Sequence, residues 1–269
     1  MSKIFHTCYY INLNRSHDRR RKMNRIYKGL KRVPAIDGNN LKNSTTMSKY
    51  QIACLQSHIK AIRLAHENGD NGALIMEDDV YIDYSYLWNK NIQQIINNRP
   101  SDAECVILHC SNLKECKKMV KMGNDFSKWK KGRFSTGCYY ITKNGIKKIY
   151  DNYKSNFIPK SFNPADHFLY NVLKSYNYTK PLFNIKMNYS LVRNKNRFNK
   201  KYELENIKLF KIYYKKIIRR KIINLRKNLR KLIRKMLKIK NQKKNKKIRI
   251  QIRKLKSSKN ILSKKMRRR

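Results

Sequence analysis

Hydrophobic and polar positions follow two alternating periods along the first two thirds of the chain. Ile4 to Leu13 is dense in β-branched and aromatic residues and predicts a first strand, ended by the polar run Asn14-Arg15-Ser16-His17-Asp18. Ser16 or Asp18 can cap a helix over Arg19 to Leu30, with Met23, Ile26 and Leu30 on one face. Arg32 to Ile36 predicts a short second strand ending at the turn pair Asp37-Gly38. Ser48 can cap a helix from Lys49 to Asn68, in which Ile52, Leu55, Ile59, Ile62 and Ala65 recur at helical spacing. Then comes Gly72-Ala-Leu-Ile-Met-Glu-Asp-Asp-Val80: an apolar run entered from a turn and closed by three carboxylates, the pattern of a strand buried on both faces. Leu87 to Asn98 reads as a helix stopped by Pro100, and Cys105 to His109 as another buried strand. The basic segment Cys110 to Gly132 has no clear period and could be a mobile lid or a plain insertion. Thr136 to Thr142 predicts a strand, Lys143 to Tyr153 a helix, Pro164-Ala-Asp-His167 the start of a helix through Leu173, and Lys180 to Met187 a late strand. The opening βαβ unit and the continued alternation predict an α/β layered domain, built on a parallel sheet and ending near residue 195.

From Ile207 onward no strand pattern survives. Ile218, Ile222, Leu225, Leu229, Leu232, Met236 and Ile239 recur at steps of four and three, an apolar stripe on a basic helix. Its Lys- and Arg-rich flanks disfavour a homodimeric coiled coil and suit docking on the first domain or on an anionic membrane interface. After Lys240 the low-complexity composition predicts no order until a partner is met. The expected division is therefore 1–195 for the α/β domain, 196–240 for a linker and basic amphipathic helix, and 241–269 for a basic tail.

Charge sharpens this division. The chain carries 66 Lys plus Arg against 16 Asp plus Glu, a net charge of +50. Residues 206–269 hold 29 of the basic side chains and no acidic one. Such a tail calls for an anionic partner: nucleic acid, an anionic membrane surface or an acidic protein. Heavy use of Lys, Asn, Ile and Tyr also suits an AT-rich genome, such as that of a large DNA virus or a bacterium, which accounts for part of the charge without function. With no secretory signal and no apolar run of membrane-spanning length, the expected location is cytoplasmic, peripheral on membranes at most, and the sequon at Asn188 has no compartment in which to be used. The six cysteines contain no Cys-x-x-Cys pair, so reduced thiols are expected and zinc is not.

The carboxylates Glu77, Asp78 and Asp79 carry the candidate chemistry. Three adjacent acids raise one another's pKa, so their charged forms need a cation, hydrogen bonds or open solvent. Glu77-x-Asp79 places two of them on the same side of an extended chain, and oxygen ligands suit Mg²⁺ or Mn²⁺. A solvated acidic turn is the plainer alternative.

Six stretches, in order, resemble glycosyltransferase family 25, which includes lipooligosaccharide and procollagen galactosyltransferases. They are Tyr10-Ile-Asn-Leu-Asn-Arg-Ser16 with Asp18-Arg-Arg20, Ala35-Ile-Asp-Gly38, Ala53-Cys-Leu-Gln-Ser-His58, Leu74-Ile-Met-Glu-Asp-Asp-Val80, Gly137-Cys-Tyr-Tyr-Ile-Thr142 and Pro164-Ala-Asp-His167. The resemblance spans about residues 3 to 190 and leaves out the tail; Ala53 replaces a Gly usual in the family. It implies a type A glycosyltransferase fold with a Rossmann-like sheet, a UDP-sugar donor (UDP-galactose or UDP-glucose), Mn²⁺ or Mg²⁺, inversion at the anomeric carbon and a glycan or protein hydroxyl acceptor. On that basis Asp79 is the direct metal ligand, Glu77 faces the donor ribose or a metal-bound water, and Asp78 is a further donor-binding candidate. Asp166 is the candidate base or else a helix N-cap, and His167 a second metal contact or else a surface residue. Asn12, Arg15 and Arg19 follow the first strand at the nucleotide crevice, where either arginine could bind the diphosphate or stand as a solvated charge. Asp37 closes the nucleoside pocket or belongs to an ordinary turn. Ser57 and His58 shape the donor site, or His58, like His109, is a buried structural histidine.

Two other classes compete with a hexosyltransferase. A basic nucleic-acid-binding protein is suggested by charge and tyrosine content, but it gains nothing from three carboxylates at a strand end. An inactive transferase domain acting as a scaffold would leave function to the tail.

Overall fold

The computed structural model describes residues 7–44, 46–82, 84–185, 197–238 and 245–267. The ends of the expected first and late strands (Ile4 to His6, Lys186 and Met187), the sequon at Asn188, the boundary near 195 and Ile239 of the stripe lie outside them. The chain divides into two compact units, Met1–Leu209 and Phe210–Arg269.

In the first unit, β1 (Thr7–Asn12), α1 (His17–Ile26), β2 (Lys31–Pro34), α2 (Lys49–Glu67) and β3 (Gly72–Glu77) follow the expected order. Then come β4 (Val80–Tyr81), α3 (Ile92–Asn97), β5 (Cys105–Ile107), α4 (Leu113–Lys121), β6 (Phe126–Lys128), β7 (Cys138–Thr142), α5 (Lys143–Asn152), α6 (Ala165–Val172), β8 (Ser175–Tyr178) and β9 (Asn184–Ile185). Seven strands form one sheet in the order β2-β1-β3-β7-β5-β8-β6, and β4 pairs with β9. Neighbours β2, β1 and β3 are parallel, as are β5 and β8, while β7 and β6 run against their partners. The expected parallel sheet is thus a mixed one, with an antiparallel strand at its centre. Nothing in the apolar run of β7 signals direction, because a strand buried on both faces looks the same either way.

Strand alternation divides the core into two layers. Tyr9, Ile11, Ala73, Ile75, Tyr139 and Ile141 pack with Leu55, Ile59 and Ile62 of α2, Ile146 and Ile149 of α5 and Phe168 of α6. Cys8, Tyr10, Leu74, Met76, Cys138 and Tyr140 face the other way, onto Met23 of α1 and Ile95 and Ile96 of α3. The cap expected at Ser48 is present: its hydroxyl accepts from the Gln51 N–H, and the Gln51 side chain returns the bond. At α1 the Ser16 side chain makes no such bond, and Asp18 sits in the first turn. The helix expected from Leu87 begins later, because Asn91 and Gln94 form their own capping box and Leu87 is left in a single 3₁₀ turn.

The segment Cys110 to Gly132, expected as lid or insertion, contains α4 and the edge strand β6. Arg133, only 2% exposed, holds it. Its Nη1 donates to Ser127 Oγ (2.6 Å), the Lys128 carbonyl (2.9 Å) and Asn177 Oδ1 (3.3 Å), and its Nε lies 3.4 Å from Glu115 Oε2. The strand before residue 180 is Ser175–Tyr178, which its polar Ser and Asn conceal; Asn177 is buried because it accepts from Arg133.

The second unit contains most of α7 (Arg197–Lys238) and all of α8 (Asn245–Arg267). Within the stretch whose composition predicts no order, residues 245–267 are helical. Leu232 of the apolar stripe and Leu255 of α8 border a common cleft. No described helix is long and apolar enough to cross a membrane.

Replacing Arg133 by Leu would leave Glu115 to Lys118 but take the donor from Ser127, the Lys128 carbonyl and buried Asn177, so Arg133→Leu is expected to lower the unfolding free energy by about 1–3 kcal/mol in urea titrations.

Candidate active site

The strand order reverses at β1, between β2 and β3, and the carboxyl ends of β1 and β3 open into a cleft of about 110 Å³. Register sets Ile11 opposite Glu77, so Asn12 and the acidic turn after β3 meet at one edge. Asn12 is 1% exposed. Its Nδ2 donates to Asp78 Oδ2 (2.7 Å) and to the Ser16 carbonyl (3.2 Å), and its Oδ1 accepts from Arg32 Nε (3.0 Å). Arg19 Nη1 donates to the other Asp78 oxygen at 2.6 Å and lies 3.8 Å from Asp79 Oδ2. Asp78 is therefore the tie that fixes the turn to β1 and α1. Arg15 lines the cleft and pairs with Asp37, whose Oδ1 also accepts from the Asn39 N–H (2.9 Å) in the 3₁₀ turn that follows.

The opposite wall comes from α2. Ser57 Oγ donates to the Ala53 carbonyl (2.6 Å) and accepts from the Ile36 N–H (2.9 Å), joining the helix to the segment after β2. One residue on, His58 is buried, with Nδ1 3.2 Å from the Tyr139 hydroxyl and Nε2 3.5 Å from Glu77 Oε1. The Thr136 hydroxyl donates to the same Glu77 oxygen at 2.7 Å. Cys54, one turn before His58, completes a possible metal-binding triad with His58 and Glu77: one ligand atom from each lies within 4.8 Å of the others.

Electrostatics separates the three carboxyls. Burial pushes Glu77 upward, but the hydrogen bond and charge of His58 and the Thr136 hydroxyl hold it below the ordinary value. Asp78 is raised, since its burial outweighs the favourable pull of Arg19 and Asn12. Asp79 is pushed up to about 8 by burial and by the neighbouring Glu77 charge. Its Oδ1 is buried without a hydrogen-bond partner. A buried carboxyl oxygen with no donor, beside a second carboxylate, is the environment a cation would relieve.

Asp166 and His167 stand apart from this lining. Asp166 is in the first turn of α6, but Pro164 occupies the N-cap position. Asp166 Oδ2 accepts from the Ser135 N–H (3.0 Å) and Oδ1 from the His167 N–H (2.9 Å). Ser135 has φ +122°, rare for a residue with a side chain, and is held from several directions. Its Oγ accepts from the Gly137 N–H (3.0 Å) and meets His109 Nδ1 at 2.6 Å, while Tyr170 donates to its carbonyl (2.8 Å). The His167 ring stacks on Phe134 with centroids 5.5 Å apart and is not among the residues lining the cleft with Glu77 and Asp79. Asp166 is close enough to bear on the Cys54 thiol, which burial, Glu77 and Asp166 push well up.

The site thus gathers Arg15, Arg19, Ser57, His58, Glu77, Asp78 and Asp79 around one cleft, with Asn12 and Asp37 behind Asp78 and Arg15. The family model of glycosyltransferase family 25 (LPS biosynthesis protein) matches residues 5–169, more than half of the chain. The chain belongs to that family. No curated protein matches it. The family covers every strand from β1 to β7 and ends within α6, so cleft and acidic turn both lie inside the matched region. It makes this protein a glycosyltransferase, for which a nucleotide-sugar donor and a glycan acceptor are implied.

Cys54, Thr136 and Ser135 were not expected as site residues. Cys54 had a usable signal, since it precedes His58 by four residues on the face that α2 buries. Thr136 and Ser135 had none, because their roles depend on the turn before β7 meeting the ends of β3 and α6.

His109 is pushed down to about 4 by burial, against the opposing pull of Glu77. Between its ordinary 6.5 and that value the unfolded chain takes up a proton that the folded chain refuses. Its contribution to stability is thus full above pH 6.5 and lost as the pH falls toward 4, by about 3 kcal/mol. Urea unfolding between pH 7 and 4 should show this acid limb flattened in His109→Gln.

Proposed function

We propose that this glycosyltransferase is an inverting, metal-dependent hexosyltransferase that uses a UDP-sugar, with galactose or glucose as the transferred unit and a glycan or protein hydroxyl as acceptor. The observation that carries the reading is Asp79: a buried carboxyl with an unpartnered oxygen, next to Glu77, at the mouth of a cleft between parallel strand ends. Asp79 and Glu77 would hold Mn²⁺ or Mg²⁺, whose contribution when bound is Lewis-acid neutralisation of the departing diphosphate.

The chain's own groups divide the remaining work. Asp78, tied through one oxygen to Asn12 and through the other to Arg19, serves to hold the turn against β1 and α1. Arg15 is 43% exposed and reaches across the cleft to Asp37, which makes it the better diphosphate ligand of the two arginines, since Arg19 is committed to Asp78. Asp37 with the Gly38 turn would border the nucleoside. Asp166 is the proposed base. Its two N–H bonds orient the carboxylate, and each oxygen keeps a second lone pair that can accept the acceptor hydroxyl's proton. His167, stacked on Phe134, is better suited to shaping the acceptor side than to ligating with Asp79.

The second unit supports a proposal of its own, that it binds an anionic membrane surface. Its charge is one-signed from residue 206 to the end, and stripe positions Ile222, Leu225, Leu229, Leu232 and Met236 are half-buried beside mostly exposed Lys and Arg. An electrostatic mode of binding is therefore favoured over deep insertion.

Thermal unfolding of the full chain with UDP at a hundred times its dissociation constant should show about 2.7 kcal/mol of stabilisation that requires Mn²⁺. Asp79→Asn should remove the shift and the transfer activity while leaving the fold intact; unchanged activity would sink the metal assignment. Binding to vesicles of anionic lipid should be strong in low salt, fall steeply as salt is raised and be absent on neutral vesicles. Equal binding to neutral lipid would rule the electrostatic mode out.

A further inference from the structure

Cys54, His58 and Glu77 bring three different ligand chemistries together from two elements. Cys54 and His58 lie one turn apart on α2, and Glu77 ends β3. One ligand atom from each is within 4.8 Å of the other two, so all three can reach a single ion. The surroundings are those of a metal ligand set. His58 has Nδ1 engaged by the Tyr139 hydroxyl at 3.2 Å, which turns Nε2 toward Glu77 Oε1 at 3.5 Å. Glu77 is oriented by Thr136 at 2.7 Å. All three line the same cleft, so an ion held there would have three protein ligands, an open fourth position and a path to solvent.

We propose that Cys54, His58 and Glu77 form a site for a thiophilic divalent cation of the zinc class, distinct in chemistry from the hard-cation pair Glu77 and Asp79 but sharing Glu77 with it. A thiolate and an imidazole select such ions over Mn²⁺ or Mg²⁺, whose preferred ligands are oxygens. On binding, the Cys54 S–H bond breaks, an S–metal bond forms and the proton passes to solvent; no oxidation state changes. Because zinc held here would take up the Glu77 oxygen that faces His58, and two divalent cations sharing one carboxylate repel each other, zinc would weaken the hard-cation site and oppose UDP-sugar binding. The site itself stands on geometry alone; only this competition rests on the proposed transferase reading.

The test uses Co²⁺, a coloured substitute for zinc, added to the full, reduced chain. A thiolate-to-cobalt charge-transfer band should appear, be displaced by Zn²⁺, weaken about tenfold in apparent affinity in Tyr139→Phe, and be lost in Cys54→Ser and His58→Gln. Asp79→Asn should retain the band. No band, or one that persists in Cys54→Ser, would overturn the proposal. In the unaltered protein, Zn²⁺ should also protect Cys54 from alkylation, read by peptide mass spectrometry, so the answer does not depend on a variant that folds; alkylation of Cys54 at an unchanged rate would likewise overturn it. Zinc should abolish the Mn²⁺-dependent thermal shift given by UDP. If UDP gives no shift at all, the transferase reading fails, and the cobalt band still decides the site.

Discussion

Carboxyl groups can be buried side by side only where something compensates their charge, and the end of β3 depends on this. Three acids follow one another there, and each meets the constraint differently. Asp78 is answered by Asn12 and Arg19, Glu77 by His58 and Thr136, and Asp79 by no hydrogen-bond donor at Oδ1. The first two compensations are structural and fix β1, α1, α2 and the turn before β7 to the same few ångströms. The third is left open, and the mouth of the cleft lies where it is open. Positioning and reactivity are thus two parts of one electrostatic arrangement, in which satisfied neighbours hold an unsatisfied group in place.

Much of this was legible in the sequence, for reasons that differ by element. β1, α2 and β3 carry unambiguous periods, and the Ser48 capping box fixes the start of α2 by local chemistry alone. The cleft residues could be named because they sit at the ends of those readable elements. What escaped was non-local. The reversal of β7 leaves no trace in a strand buried on both faces. β8 hides because Asn177 is buried by a partner, Arg133, far away in the chain. Asp78, expected among the donor-binding residues, also ties the turn to Asn12 and Arg19, contacts that only the folded chain creates. Cys54 carries no Cys-x-x-Cys signal, because its partners are a histidine one helical turn away and a glutamate on another element.

The turn before β7 links the two halves of the site. Ser135 holds a backbone conformation that costs of order 1–3 kcal/mol, and four separate hydrogen bonds converge on it from Gly137, His109, Asp166 and Tyr170. Such over-determination fixes where Thr136 presents its hydroxyl to Glu77, one residue on. It also means that Asp166 is coupled to the acidic turn through backbone, since the N–H it accepts belongs to the residue preceding Thr136. A change at Asp166 would therefore alter the orientation of Glu77 as well as any proton transfer. Loss of activity alone would not separate the two effects, whereas nucleotide affinity would.

The charge of the chain follows the opposite logic from the site. In the cleft, two of the three acids are answered by neighbouring donors, whereas residues 206–269 hold 29 basic groups and no acidic one. Like charges three and four apart destabilise a helix by a few tenths of a kcal/mol per pair, so α7 and α8 form against their own repulsion. Leu232 and Leu255 at their common cleft supply part of what offsets it. Buried Phe210, Tyr214 and Ile218 of α7 supply more, and counter-ions add to it; a surface that presents many fixed anions at once releases more of those ions than scattered solutes do. A headgroup layer, the partner proposed above, is such a surface. The same argument makes binding fall with salt, because the driving term is the screening that the helices lack on their own.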